Sequence, residues 1–185
     1  MRRIFCIFAF LVLVLPLAAC SSPTVQAAEI HFSFQCKADV NTNGEQFLCN
    51  LSRTAPGRAS VQVLSGDLDG LSFDWDGDGF SISYKDLCAK SEDCVLPDTA
   101  FASVLVKVLD YAERSDSLTS GADGSFTGTF EDKDFTITVD KNTGDIQTLV
   151  IPETNLSVKF YNHNKEKRCN VCYTFLFYIY VIRHR

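Results

Sequence analysis

Apolar residues occupy every second position through most of this chain, and this two-residue period is the feature that most limits its fold. The first run places apolar side chains at alternate positions from Ile30 to Val40. Successive side chains of a β-strand point to opposite faces, so each run predicts a strand with one buried face. The period recurs at residues 47–51, 59–63, 71–75, 80–84, 126–130, 135–139 and 156–160, with a weaker ninth run at 146–151.

Turn-forming residues separate these runs. Gly, Pro, Asn and Asp cluster at residues 41–44, 55–57, 67–70, 76–79, 131–134, 142–144 and 152–155. Connections this short make neighbouring strands antiparallel. The sequence therefore predicts a meander of about nine strands.

One segment has a helical period instead. Its apolar residues follow the spacing i, i+3, i+4, i+7, i+8, i+11, which is typical of an amphipathic helix: Phe101, Val104, Leu105, Val108, Leu109 and Ala112. Asp98 is the predicted N-cap. Ser103, Lys107, Asp110 and Arg114 are predicted on the exposed face, with Asp110 and Arg114 forming an i,i+4 ion pair. The predicted fold class is α+β, a curved antiparallel meander forming an incomplete barrel packed on one helix.

The N-terminus has the pattern of a lipoprotein leader. Arg2 and Arg3 precede an apolar stretch at residues 4–17, and Leu17-Ala18-Ala19-Cys20 matches a lipoprotein cleavage box. We predict a signal peptide at residues 1–19, lipidation of Cys20 and a tether at residues 20–29. An ordinary signal peptide cleaved after Ala27 or Ala28 is the alternative. The apolar stretch is too short for a spanning helix, which needs ~20 residues.

Charge disfavours a nucleic-acid partner. The whole chain carries a formal charge of -6, but residues 21–160 hold ten basic and twenty-two acidic side chains, giving -12. Phosphate backbones are bound by basic surfaces, so an acidic domain repels them.

The cysteines predict structural disulfides. Pairing Val40 with Glu45 across a turn at residues 41–44 places Cys36 opposite Cys49, and Cys88 and Cys94 flank a short polar loop. An extracytoplasmic protein favours disulfides over redox or metal chemistry. Cys169 and Cys172 form a C-x-x-C that, with His163 and His184, fits no standard zinc finger.

Acidic residues offer one weak metal candidate. Asp74, Asp76 and Asp78 copy the opening of a calcium loop, but Lys85 stands where a bidentate carboxylate is needed. A two-strand turn is the favoured interpretation. The sequence holds no nucleophile elbow, phosphate loop or metalloprotease helix, so we predict neither an enzyme nor a cofactor.

Aromatic residues on the alternating positions admit two interpretations. They form the core between sheet and helix, or they line a pocket for an apolar ligand. The candidate lining residues are Phe32, Phe34, Phe47, Phe73, Trp75, Phe126 and Phe135.

The chain resembles a family of small secreted lipoproteins from Clostridia and other Firmicutes. The resemblance rests on the cleavage box at residues 17–20, the helix at 97–112 and the block 124–160, which begins GSFTGTF and ends LSVKF. These proteins are similar in layout to LolA/LppX-type lipoproteins. The resemblance implies one domain at residues 30–160 and a carrier or binding role for lipids or lipoproteins.

Residues 161–185 depart from that family pattern and include a β-prone run at 173–182. We interpret them as an atypical tail, a frameshift or read-through appendage. The leading functional hypothesis is a lipid-anchored domain on the extracytoplasmic face of the cell membrane that binds an apolar ligand or an envelope partner. The alternative is a structural envelope module that binds no small ligand.

Overall fold

A computed structural model describes residues 29–121 and 123–164 of the chain. The strands are β1 (Phe34–Thr42), β2 (Glu45–Ala55), β3 (Arg58–Val63), β4 (Ser72–Asp76), β5 (Phe80–Tyr84), β6 (Leu87–Ser91), β7 (Thr119–Ser120), β8 (Ser125–Phe130), β9 (Lys133–Val139), β10 (Ile146–Ile151) and β11 (Leu156–Asn164). One helix, α1 (Phe101–Arg114), lies between β6 and β7. Short 3-10 turns occur at Gly66–Leu68 and Pro152–Thr154.

The eleven strands form one open antiparallel sheet in the order β6-β5-β4-β3-β2-β1-β11-β10-β9-β8-β7. Two meanders, β1–β6 and β7–β11, are joined where β1 pairs with β11. The predicted α+β class is confirmed, but the strand number of about nine is wrong. The two additional strands, β6 and β7, form the edges and bury no side chain. Each of these strands is held in the sheet by backbone hydrogen bonds to one neighbour. Neither strand needs buried side chains, so neither shows the apolar alternation.

The β1–β2 turn differs from the prediction. Asn43 and Gly44 alone form it, with φ of 51° and 85°, and Thr42 pairs with Glu45. Positive φ at both central positions is the pattern of a two-residue hairpin turn, whose twist matches that of the flanking strands. Val40 therefore pairs with Phe47 rather than with Glu45.

This register corrects the predicted partner of each cysteine in the hairpin. Cys36 lies opposite Leu51, and Cys49 lies opposite Ala38. The two thiols are diagonal neighbours on the buried face instead of a directly opposed pair. The predicted four-residue turn is wrong, because it displaces the pairing by two residues from the observed register.

The helix begins later than predicted. Its N-cap is Ala100, which makes no side-chain capping bond, and Asp98 instead accepts a hydrogen bond from Lys107 Nζ at 2.7 Å. Ser103 is 1% exposed, so its predicted place on the exposed face is wrong. Within the described residues, no helix has the length and apolar character needed to cross a membrane.

Aromatic contacts connect α1 to both halves of the sheet. At its first turn, the Phe101 ring stacks on Phe47 of β2 at 5.7 Å and meets Phe73 of β4 edge-on at 6.1 Å. Near its other end, Tyr111 lies 5.2 Å from Phe130 of β8. Such pairs add to the stabilisation from area burial. The core therefore lies between α1 and the inner face of the sheet.

We expect the β1–β2 turn to depend on Gly44. A Cβ at this position would meet nothing within 4 Å, so Gly44→Ala should act through its left-handed backbone alone. The substitution should lower the free energy of unfolding by about 1 kcal/mol, measured by urea denaturation. Asn43→Gly, in the same turn, is the control and should change it by less than ~0.5 kcal/mol. Equal effects of the two substitutions would contradict the turn assignment.

Candidate functional site

One charged side chain points into the interior. Among the described residues, the buried polar side chains are Arg53 and Ser103, and Arg53 is 2% exposed. It lies on the inner face of β2, where it continues the alternation of Phe47, Cys49 and Leu51. The Arg53 cluster, defined as Arg53 with its partners Asp110, Glu113 and Phe32, is the most polar part of the interior.

The Arg53 guanidinium joins three parts of the chain. Nε and Nη2 donate to Oδ1 of Asp110 at 3.0 and 2.8 Å, and Nη2 donates to Oε2 of Glu113 at 2.6 Å. Nη1 donates to the carbonyl of Phe32 at 2.8 Å, and the guanidinium carbon lies 5.8 Å from the centre of the Phe32 ring. The second oxygen of Asp110 accepts the backbone N–H of Gly57 at 2.7 Å. The cluster thereby binds α1 to β2, to the β2–β3 turn and to the segment before β1.

This arrangement corrects the predicted pairing of Asp110 with Arg114. Asp110 faces the sheet and contacts Arg53, because its position follows Val106 by one helical turn on a buried side of α1. A buried ion pair offsets its desolvation only when its hydrogen bonds are also made. Here the guanidinium has four such bonds, so the cluster can hold the helix in one position on the sheet.

The predicted ligand-lining residues come together, but α1 fills the space between them. Phe32, Phe34, Phe47, Phe73, Phe126 and Phe135 are all buried in the core, and Trp75 packs against it. Beside the Arg53 cluster, the cavity between Leu51, Val61 and Leu109 measures about 10 Å³. A volume this small holds at most one water molecule. The aromatic set therefore forms core packing around the helix.

A shallow groove lies on the outside, where the β1–β2 and β10–β11 turns meet. Its lining comprises Asn41, Asn43, Gly44, Val150, Ile151, Pro152, Asn155, Leu156 and Ser157. No charged side chain contributes to this lining within the described chain. Amide, hydroxyl and apolar groups can hydrogen-bond a neutral polar molecule, but they supply neither an acid nor a base for catalysis.

The predicted disulfides are not present, because Cys36, Cys49, Cys88 and Cys94 are free thiols. Burial raises the pKa of Cys36 from 9.0 to about 12. For Cys49, burial and the negative charge of Asp39 raise the pKa to about 12 as well. Thiols this difficult to ionise are poor nucleophiles and poor metal ligands. Cys88 differs, since it is exposed on β6.

The three aspartates of the proposed calcium loop do not converge. Asp76 accepts the backbone N–H groups of Asp78 and Gly79 at 3.0 and 2.8 Å, which hold the pKa of its carboxyl below the usual range. Asp74 accepts the hydroxyl of Ser72 at 2.8 Å. Across residues 29–121 and 123–164, no three His, Cys, Asp or Glu side chains form a group that could hold a metal. The motif is a hairpin turn closed by Asp76.

The remaining predicted residues lie outside the described part of the chain. These are Cys20 with the leader and tether residues up to 28, and Cys169, Cys172 and His184 in the tail.

A comparison with protein-family models gives no match, and a comparison with curated proteins gives none.

We expect Arg53 to be essential for stability. Arg53→Met keeps most of the apolar volume but leaves Asp110 and Glu113 without their cation, so it should lower the free energy of unfolding by about 3–5 kcal/mol. Arg58→Met is the matched control because Arg58 is exposed on the neighbouring strand β3, and its effect should stay below ~1 kcal/mol. Denaturant titration of both variants is the measurement, and a loss for Arg53→Met no larger than that for Arg58→Met would refute this assignment.

The buried thiols predict a pH dependence. At pH 8 a thiol with a pKa of about 12 is ionised in about one molecule in ten thousand, so iodoacetamide should label Cys88 and spare Cys36 and Cys49 until the protein unfolds. Thiols of the unfolded chain ionise above their ordinary value of 9.0, whereas the folded ones stay protonated. Their contribution to stability should therefore be complete below pH 9 and disappear between pH 9 and 12. Mass mapping after labelling tests the protection of the two buried thiols, and rapid native labelling of Cys36 would count against that protection.

Proposed function

We propose that this chain is a lipid-anchored, extracytoplasmic and non-enzymatic carrier of an apolar ligand, with the incomplete-barrel layout of LolA/LppX-type lipoproteins. The main support is an aromatic inner face with one helix against it. The cleavage box that ends at Cys20 supports both the lipid anchor and the location at the cell membrane.

Burial along α1 supports an incomplete barrel. Residues 102–106 are five consecutive helical positions, and each is at most 5% exposed. Five consecutive residues point in all directions around a helix, because one turn takes 3.6 residues. A flat sheet can cover only one side of such a helix. A sheet curved around α1, together with Cys94 and Leu96 from the preceding loop, accounts for the burial.

A ligand in this interior would take the place of α1 side chains. The cavity of about 10 Å³ is far below the ~300 Å³ or more of ordinary ligand pockets. Ligand binding therefore needs α1 to move. The two ends of α1 are held by different contacts. Aromatic contacts of Phe101 hold its first turn, which has no capping side chain, whereas the Arg53 cluster holds its last turns. We propose that an acyl chain is admitted at the first turn.

A second candidate is a structural envelope module that binds no small molecule. The observation in its favour is the same small cavity, since a filled interior needs no ligand to be stable. The two candidates differ in whether α1 can leave the sheet under native conditions.

The deciding experiment uses the full chain and its Cys20→Ser variant, purified from membranes and from the soluble fraction respectively. The wild-type chain should fractionate with membranes and the variant should not. Native mass spectrometry of Cys20→Ser should show a bound acyl lipid, and a fluorescent fatty acid should bind and compete with it.

Phe101→Asp is the matched test of the proposed route, because it weakens the aromatic contacts at the first turn and should speed fatty-acid association. Arg114→Gln, at an exposed position of the same helix, is its control. A lipid-free mass of Cys20→Ser, with no fatty-acid binding by Phe101→Asp or by its control, would favour the structural module.

A further inference from the structure

Strand β6 is an unprotected edge of the sheet. Among residues 29–121 and 123–164, only β5 pairs with it, and four of its five residues are exposed. Leu87 at its start is 74% exposed, and Val95, four residues after its end, is 63% exposed. Natural edge strands are shielded by short length, bulges, prolines or charges, Lys above all, and β6 has neither a bulge nor a proline. Here Lys90 is the one charged residue of β6, so this edge is available for pairing.

We propose that β6 pairs antiparallel with β6 of a second copy of this chain, with Cys88 opposite Cys88, so that the two sheets become continuous. Such an interface is isologous, because the same strand contributes from both copies.

Charge selects this register. With Cys88 at the centre, the register brings Asp86, the turn residue just before β6, next to Lys90 of the other copy, and this favourable pair occurs twice. Leu87 then lies opposite Ala89 on the inner face, which covers the most exposed apolar residue of the strand. Moving the centre by one residue to Ala89 would place Asp86 opposite Glu92, a repulsive pair that also occurs twice.

Backbone geometry agrees with the same register. Lys85 and Asp86 form a two-residue turn, so Tyr84 and Leu87 are its closing, hydrogen-bonded pair. Hydrogen-bonded and non-bonded pairs alternate along antiparallel strands. Cys88 and Lys90 therefore direct their backbone N–H and C=O groups away from β5, toward the open edge. Registers centred on Cys88 and on Ala89 both set these groups opposite those of the second copy, so charge decides between them.

The contact is small, since β6 has five residues. It lies well below the ~1,200 Å² of stable interfaces, so the dimer should be weak and should depend on concentration. Confinement of copies on one surface would raise their effective concentration. An exposed thiol at the centre gives a direct reporter of the register.

The test uses the full-length chain in detergent with a short bismaleimide cross-linker, and sedimentation equilibrium on the same samples. We expect a cross-linked dimer that Cys88→Ser abolishes. Lys90→Asp should weaken dimerisation about tenfold, because it places two acidic pairs across the interface. The double variant Asp86→Lys/Lys90→Asp restores opposite charges and should return the dimer to within about threefold of the wild type.

Circular dichroism confirms that each variant is folded. Any of the following results would overturn the proposal: a chain that stays monomeric at all concentrations, a dimer whose cross-linking does not need Cys88, or a Lys90→Asp variant that associates more strongly. The last result would identify Lys90 as a residue that prevents edge pairing. A Cys88 adduct with a different polypeptide would also exclude a second copy as the occupant.

Discussion

The antiparallel pairing of β1 with β11 is the contact on which the rest of this fold depends. Each meander forms from neighbouring strands through short turns, but in the part of the chain that the structure describes, only the β1–β11 ladder joins the two meanders within the sheet. That ladder pairs Thr42 with Leu156 at one end and Gln35 with Asn164 at the other, more than a hundred residues apart along the chain. Closing so long a loop costs entropy before any contact compensates it. The chain reduces the difficulty with α1, which follows the last strand of one meander, precedes the first of the other and contacts aromatic residues of both.

The Arg53 cluster fixes the position of α1 on the sheet through directional hydrogen bonds, whereas the surrounding apolar contacts are non-directional. Aliphatic and aromatic contacts allow a helix to slide or rotate by small amounts, whereas a guanidinium with bonds to Asp110, Glu113 and the Phe32 carbonyl fixes one arrangement. In a low-dielectric interior these bonds are strong, and losing Asp110 or Glu113 would leave the buried guanidinium short of its counter-charges. The same cluster is consistent with either proposed function. A carrier needs a defined closed state, and a structural module needs a rigid one.

Much of the fold could be predicted from sequence because burial and alternation coincide in the central strands. Phe135, Ile137 and Val139 are buried and separated by threonines, as the two-residue period requires. The period fails at the edges, since β6 and β7 bury nothing. It also does not determine register, which depended on whether Asn41 or Asn43 begins the first turn. At the candidate site, alternation along β2 does place Arg53 on the inner face and helical spacing does place Asp110 near it. The charge of Asp110 predicts a solvent-exposed position, and only tertiary pairing between β2 and α1 reveals that Arg53 and Asp110 satisfy each other.

Pairing of Gln35 with Asn164 brings both ends of the folded domain to one end of its two innermost strands. The described chain before β1 does not continue outward from that point: the His31 N–H donates to the carbonyl of Gly144 at 2.9 Å, and His31 bridges Asp145 beside the β9–β10 turn. A tether attached before Glu29 would therefore leave the domain next to the β9–β10 turn, which lies fewer strands from the β7 border than from the β6 border. The attachment would be off-centre, and the β6 border would be the one farther from it.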